Sequence, residues 1–156
     1  METAGTECSA VAVPPTGTVR MLQESLFTAG ITSVIGGSGL LVSRGLLEKA
    51  NDWDLVTDAK PAEVRQVLDE LGLTYSRAET SGVFRTEALF RVSAEDHEID
   101  VLVRFALDSA DGVVPIPARA GRMWRGLRMA RPEEWQLAYR LLGREDRAAL
   151  LSSTPR

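Results

Sequence analysis

Val19, Leu22, Leu26 and Phe27 recur at three- and four-residue spacing, which predicts a first helix with one apolar face, and Gly30 supplies its stop. Ile31 to Ile35 then reads as a short buried strand. Gly36 to Gly39 turns the chain into a helix over 39–49, and Trp53 to Val56 forms a second strand. Thr57 or Asp58 can cap the next helix, Pro61 suits its first turn, and Val64, Val67, Leu68 and Leu71 make its apolar face before Gly72. Beyond Gly72 the period changes to that of strands over 73–78, 83–92 and 97–105, with Ala94-Glu95-Asp96 as a hairpin-like connection. Residues 108–118, with Asp111-Gly112 and two prolines, read as a loop, followed by a strand near 123–129 and helices near 132–142 and 144–152. Helices alternating with a mixed sheet predict an α/β or α+β domain. Residues 1–17, rich in Thr, Ala, Gly and Pro, read as a flexible leader, leaving 18–156 as one domain.

Composition narrows the functions open to such a domain. With 156 residues, 44% apolar and 26% charged, the chain can bury one core. Cys8 is the sole cysteine and His97 the sole histidine, so an internal disulfide and His- or Cys-based metal sites are excluded. No run of eighteen apolar residues and no signal-peptide core occur, so a cytoplasmic location without membrane attachment is expected. Residues 1–100 hold 8 basic and 16 acidic side chains and residues 101–156 hold 10 and 6, giving net charges of −8 and +4. An acidic part can hold cations, and a basic part can face polyphosphate.

Asp52 and Asp54 flank Trp53, so on a strand both carboxylates point to one face and the indole to the other, into the core. Mg²⁺ prefers hard oxygen ligands and usually takes one or two carboxylates plus substrate phosphates. Asp100 follows on another expected strand, with Glu98 on the same face. Gly36-Gly37-Ser38 would let backbone N–H groups approach phosphates at a helix N-terminus. Together these residues suggest metal-dependent phosphate chemistry, against the plainer reading of solvated acids and an ordinary strand-to-helix turn. Asp58 reads as a cap, and His97 as a solvated hairpin residue. Arg119, Arg122, Arg125, Arg128 and Arg131 recur every third residue. They could hold triphosphate or an RNA backbone, or simply face solvent. Arg140, Arg144 and Arg147 on the last helices are further candidates for phosphate contact.

The run Val34-Ile35-Gly36-Gly37-Ser38-Gly39-Leu40, followed by Asp52-Trp53-Asp54-Leu55-Val56-Thr57-Asp58-Ala59-Lys60-Pro61-Ala62-Glu63-Val64, resembles the signature of the polymerase-β-type nucleotidyltransferase superfamily. It is similar above all to the catalytic head of the CCA-adding tRNA nucleotidyltransferases, over residues 18 to 105. The C-terminal stretch Arg131 to Arg147 is similar to the closing helices of abortive-infection toxin-like nucleotidyltransferases. The resemblance implies the nucleotidyltransferase fold, a mixed central β-sheet flanked by α-helices. It implies a transferase that uses Mg²⁺ or Mn²⁺, held by Asp52, Asp54 and Asp100, to move a nucleoside monophosphate from a nucleoside triphosphate. Gly36, Gly37, Ser38 and Arg44 would bind the nucleotide, and Arg122, Arg125, Arg140 and Arg144 would contact phosphate where the family commonly carries a lysine. The acceptor stays open among RNA such as tRNA, a protein and a small-molecule hydroxyl. A catalytically silent nucleotide- or RNA-binding module, or one half of a toxin–antitoxin pair, is the alternative.

Overall fold

The computed structural model describes residues 11–152. Among the described residues, five helices and nine strands follow one another as α1 Gly17–Thr28, β1 Ser33–Gly36, α2 Gly37–Ser43, β2 Trp53–Thr57, α3 Pro61–Glu70, β3 Thr74–Ala78, β4 Ala88–Ser93, β5 Glu98–Val103, β6 Ala106–Ser109, β7 Gly112–Pro115, β8 Ala120–Trp124, β9 Leu127–Ala130, α4 Pro132–Leu141 and α5 Glu145–Ser152. Seven strands form one mixed sheet in the order β3-β4-β5-β2-β1-β9-β8, and β6 and β7 form a separate hairpin. β2 runs antiparallel to β1 and parallel to β5. The expected mixed sheet flanked by helices is therefore present.

Strand alternation sorts the core. Ile35, Trp53, Leu55, Phe90, Ile99 and Val101 share one face and are fully buried. Helices α1 to α3 cover that face: Gly39 of α2 lies against the Trp53 ring, the Arg65 guanidinium of α3 stands 5.5 Å from the Phe90 ring centre, and α1 packs on α3 and β1. Trp53 thus takes the core position expected of it, its Nε1 donating to the Pro15 carbonyl at 3.1 Å. The opposite face carries Gly36, Asp54, Asp100 and Arg91, register partners in a row. Trp135 of α4 lies directly over Gly36, where no Cβ would fit.

Several boundaries differ from the sequence expectation for identifiable reasons. Helix α2 ends at Ser43 rather than near residue 49. Gly45 there has a φ of +75°, and its N–H bonds the Val42 carbonyl while the Leu46 N–H bonds Leu41, a pair of bonds that closes the helix end. Helix α3 is capped by Glu63, whose Oε1 accepts the Lys60 N–H at 3.1 Å. Thr57 instead donates to the Thr32 carbonyl at 2.8 Å, and Asp58 accepts the Ala118 N–H at 2.9 Å. The segment expected as a loop over 108–118 contains the β6–β7 hairpin. The strand expected near 123–129 is two strands joined by Arg125 and Gly126, with φ of 52° and 80°. Two consecutive positive φ values make the tight turn that suits a hairpin. His97 is not solvated: its side chain is 4% exposed, with Nδ1 2.8 Å from an Asp96 oxygen.

Of the expected leader, residues 1–10 lie outside the described residues. The part that follows is tied to the fold through Ala12, which exchanges backbone bonds with Glu48 and Ala50. Among the described residues no helix is long and apolar enough to cross a membrane.

Candidate active site

The sheet register sets the centre of the site. Gly36 pairs with Asp54 across β1 and β2, and Asp54 pairs with Asp100 across β2 and β5, so the two carboxylates stand side by side on one face. Asp54 is partly buried, and desolvation first, then the charges of Asp100 and Asp52, push its carboxyl up to about 7, with Arg147 pulling the other way. At neutral pH this group is therefore poised between its two forms.

Gly37 opens α2 beside that carboxylate. Its φ is +60°, and a Cβ there would overlap the Asp54 carboxylate, so both the conformation and the close approach require glycine. The next residue, Ser38, accepts a hydrogen bond at Oγ from Nη1 of Arg147, 2.9 Å away on α5. The Arg147 guanidinium also stands 5.8 Å from the Tyr139 ring centre. Burial pushes the Tyr139 hydroxyl up, with the hydrogen bond from Arg147 opposing it.

These groups line a cavity of about 400 Å³ beneath α4 and α5. Gly37, Ser38, Asp54 and Asp100 form its polar floor, and Arg91, Arg144 and Arg147 bring positive charge to its wall. Its apolar side is a chain of rings: Phe84 to Phe105 at 6.3 Å, Phe105 to Trp135 at 5.3 Å, and Trp135 to Tyr139 at 5.5 Å between centres. An apolar wall with a few convergent polar groups is the usual build of a small-molecule site. Backbone donors at a helix start and arginine forks suit phosphate, and Phe84, half-buried where Phe105, Trp135 and Tyr139 are buried, offers a surface to a planar base.

Not all nominated residues gather here. Asp52 precedes β2 and is exposed, its Oδ1 accepting the Glu98 N–H at 2.9 Å. Arg44 and Arg122 line a different cavity, which shares no residue with the first. The turn directs the Arg125 guanidinium over Trp124, 4.4 Å from the ring centre, and Arg140 is exposed on α4 away from the cavity. Arg44, Arg122, Arg125 and Arg140 are thus placed outside the aspartate cavity: α2 ends early, the arginine run forms a hairpin at the sheet edge, and Arg140 lies on the exposed side of α4.

Sequence reasoning passed over Arg91. It pairs with Asp100 across β4 and β5, and its Nε donates to Asp100 Oδ1 at 3.0 Å, with Glu98 Oε1 at 3.6 Å. The signal was available. A hairpin closing at Ala94 and His97 places residue 91 opposite residue 100. The ring wall left no comparable sequence signal, since Phe84, Phe105, Trp135 and Tyr139 come from three separate stretches of chain.

Among the described residues no three His, Cys, Asp or Glu side chains are drawn together closely enough to enclose a metal ion. The three nominated acids are close enough to perturb Asp54, yet Asp52 is turned to a backbone N–H and Asp100 to Arg91. Two neighbouring carboxylates still match what Mg²⁺ takes when phosphate oxygens complete its shell.

The architecture is that of the nucleotidyltransferase fold. A proposed nucleotidyltransferase of Thermotoga maritima, TM1012, superimposes with a TM-score of 0.63 at 18% identity, covering 86% of this chain and 88% of its own. The antibiotic-resistance factor ANT(2'')-Ia gives 0.56 at 14%, covering 89% and 85%, and the lincosamide antibiotic adenylyltransferase LnuA gives 0.51 at 16%, covering 90% and 98%. No protein-family model and no curated protein sequence matches the chain.

Proposed function

We propose that this chain is a nucleotidyltransferase that moves a nucleoside monophosphate from a nucleoside triphosphate to an acceptor hydroxyl in the Asp54–Asp100 cavity. The observation that carries the proposal is the pairing of Asp54 with Asp100 beside the Gly37-Ser38 helix start. Asp54 and Asp100 would hold Mg²⁺ or Mn²⁺, with Asp52 joining them once released from the Glu98 N–H. Bound there, the divalent cation supplies charge stabilisation for the entering and leaving oxygens. Gly37 and Ser38 would receive the terminal phosphates, with Arg147 and Arg144 neutralising them from α5 and its approach. Arg147 would do the work for which the resemblance implies a lysine. The base would lie against Phe84, the partly exposed ring of that wall, and the Asp100 carboxylate, freed of Arg91, would accept the acceptor's proton.

Two of the similar structures belong to proteins named for antibiotic resistance or adenylylation of an antibiotic, one of them seen with adenylyl-2"-tobramycin. A small-molecule hydroxyl therefore joins RNA and protein among the acceptors to be tried. Incubation with each α-labelled triphosphate, Mg²⁺ or Mn²⁺, and RNA, protein or small hydroxyl acceptors tests the proposal. Label transfer that Asp54→Asn abolishes supports it, and a lack of transfer to every acceptor class counts against it. One observation favours the second reading, a silent nucleotide-binding module: the Arg91 guanidinium occupies the Asp100 carboxylate. Nucleotide binding without transfer would be its signature.

A further inference from the structure

The arginine run has a structure of its own. Arg119, Arg122, Arg125, Arg128 and Arg131 fall in a stretch with no acid between them, and none lines the aspartate cavity. They sit on the β8–β9 hairpin and its flanks, with β8 at the edge of the sheet. Arg119 is engaged by Glu134 at 3.4 Å, and Arg131 Nε donates to the Ala120 carbonyl at 3.1 Å, which leaves the rest of its fork available.

Aromatic rings alternate with these charges. The Arg125 guanidinium lies 4.4 Å from the centre of the Trp124 ring, and that of Arg128 lies 5.4 Å from Phe27. Phe27 is 64% exposed and Met123 58%, large apolar groups open to solvent beside cations. A concave space of about 470 Å³ on one side holds Arg44, Arg122, Arg131 and Trp124, with Glu133 as its one acid. A second, of about 260 Å³, holds Phe27, Arg128 and one acid, Glu24, and Met123 lines both. Arg122 stands close enough to Arg44 that its charge, after burial, lowers the Arg44 pKa, and Glu133 only partly offsets this. Like charges held together in a concavity favour an anion between them.

We propose that the β8–β9 hairpin is a binding surface for single-stranded nucleic acid, with Arg44, Arg122 and Arg131 meeting phosphates and Trp124 and Phe27 meeting unpaired bases. Cationic grooves interleaved with rings that reach solvent bind single strands because every base has a face to stack while the backbone is neutralised along its length; here Phe27 is exposed, and Trp124 is half-buried against the core with Arg125 over its face. A lone polyphosphate would use convergent arginines, whereas here the charges and rings are spread over two connected concavities. A duplex buries its base faces and leaves Trp124 and Phe27 without partners.

The surface shares no residue with the aspartate cavity, so binding does not require divalent metal or Asp54. The test is fluorescence anisotropy of a labelled twelve-nucleotide single-stranded RNA with the full chain in EDTA, over a salt series, using wild type, Arg122→Gln/Arg125→Gln and Trp124→Leu. Wild type is expected to bind saturably, and an equal-length duplex to compete poorly. The double variant should bind at least about tenfold more weakly, with a salt slope shallower by about 0.7, since it removes one phosphate contact, that of Arg122, and each phosphate no longer neutralised takes about 0.7 from the slope. Trp124→Leu should weaken binding and leave the slope unchanged. Thermal melts confirm that both variants are folded. Equal affinity in all three proteins, displacement of the strand by inorganic triphosphate at matched concentration, or no binding alongside dimerisation through the β8 edge would each overturn the proposal.

Discussion

At the residue scale the site rests on close approaches that one atom would destroy. Gly37→Ala adds a Cβ that must meet the Asp54 carboxylate in a left-handed backbone, so it should destabilise the fold by roughly 1–3 kcal/mol, as strained positions do, and lower Mn²⁺ affinity as well. Thermal denaturation and calorimetric titration read the two effects separately. Asp54 has its folded pKa raised from 3.8 to about 7, so the fold favours the protonated form. That contribution to stability is present below pH 3.8 and is lost as pH rises through about 7. Metal-free protein should therefore lose stability over this window, and Asp54→Asn should remove the dependence. Because a bound cation displaces the proton, Mn²⁺ affinity should rise as pH climbs through about 7 and level off above it. Arg91→Gln should act oppositely on the two readouts. Removing the guanidinium releases Asp100 for a cation and raises Mn²⁺ affinity several-fold, while the metal-free protein melts lower because the crowded carboxylates lose a neighbouring positive charge. An unchanged Mn²⁺ affinity would show that Asp100 takes no part in holding metal.

At the element scale much of the frame was legible. The apolar periods of α1, α3 and β2 came through because each element buries one face against the same core, and burial is what periodicity records. Asp54 and Asp100 were legible for the same reason: each sits one step out of phase with buried neighbours on its strand. The hairpins were not. β6 to β9 are four or five residues each, too short to show a period, β7 and β8 lie largely at the surface, and Arg125 at a positive φ hides the turn behind a residue type that rarely adopts it. The role of α5 was half visible. Arg147 was among three candidate arginines, and only the approach of α5 to the start of α2 singles it out. Arg147→Ala should weaken triphosphate binding by about 1.5–3 kcal/mol, the range for a hydrogen bond to a charged group, with Arg147→Lys recovering part of it. Fluorescent-nucleotide titration measures both, and equal affinity in Arg147→Ala would place the phosphates elsewhere.

For the whole molecule, the charge asymmetry now has a location. The acidic part contributes the floor of the cavity through Asp54 and Asp100, and the basic part divides its arginines between the α5 wall and the β8–β9 edge. Helix α2 joins the two regions, with Ser38 in one cavity and Arg44 in the other. At 1.5 Å per residue, those positions are about 9 Å apart along the axis. A group anchored at the sheet edge would lie within reach of the aspartates.

The most direct test of the nucleotidyl-transfer reading uses the position of the label. Parallel reactions with α- and γ-labelled nucleoside triphosphate, Mn²⁺ and the acceptor pools should place label on the acceptor from the α-phosphate alone, with pyrophosphate released and no transfer in Asp54→Asn or in EDTA. Transfer of the γ-label, or α-label transfer undiminished in Asp54→Asn, would contradict it.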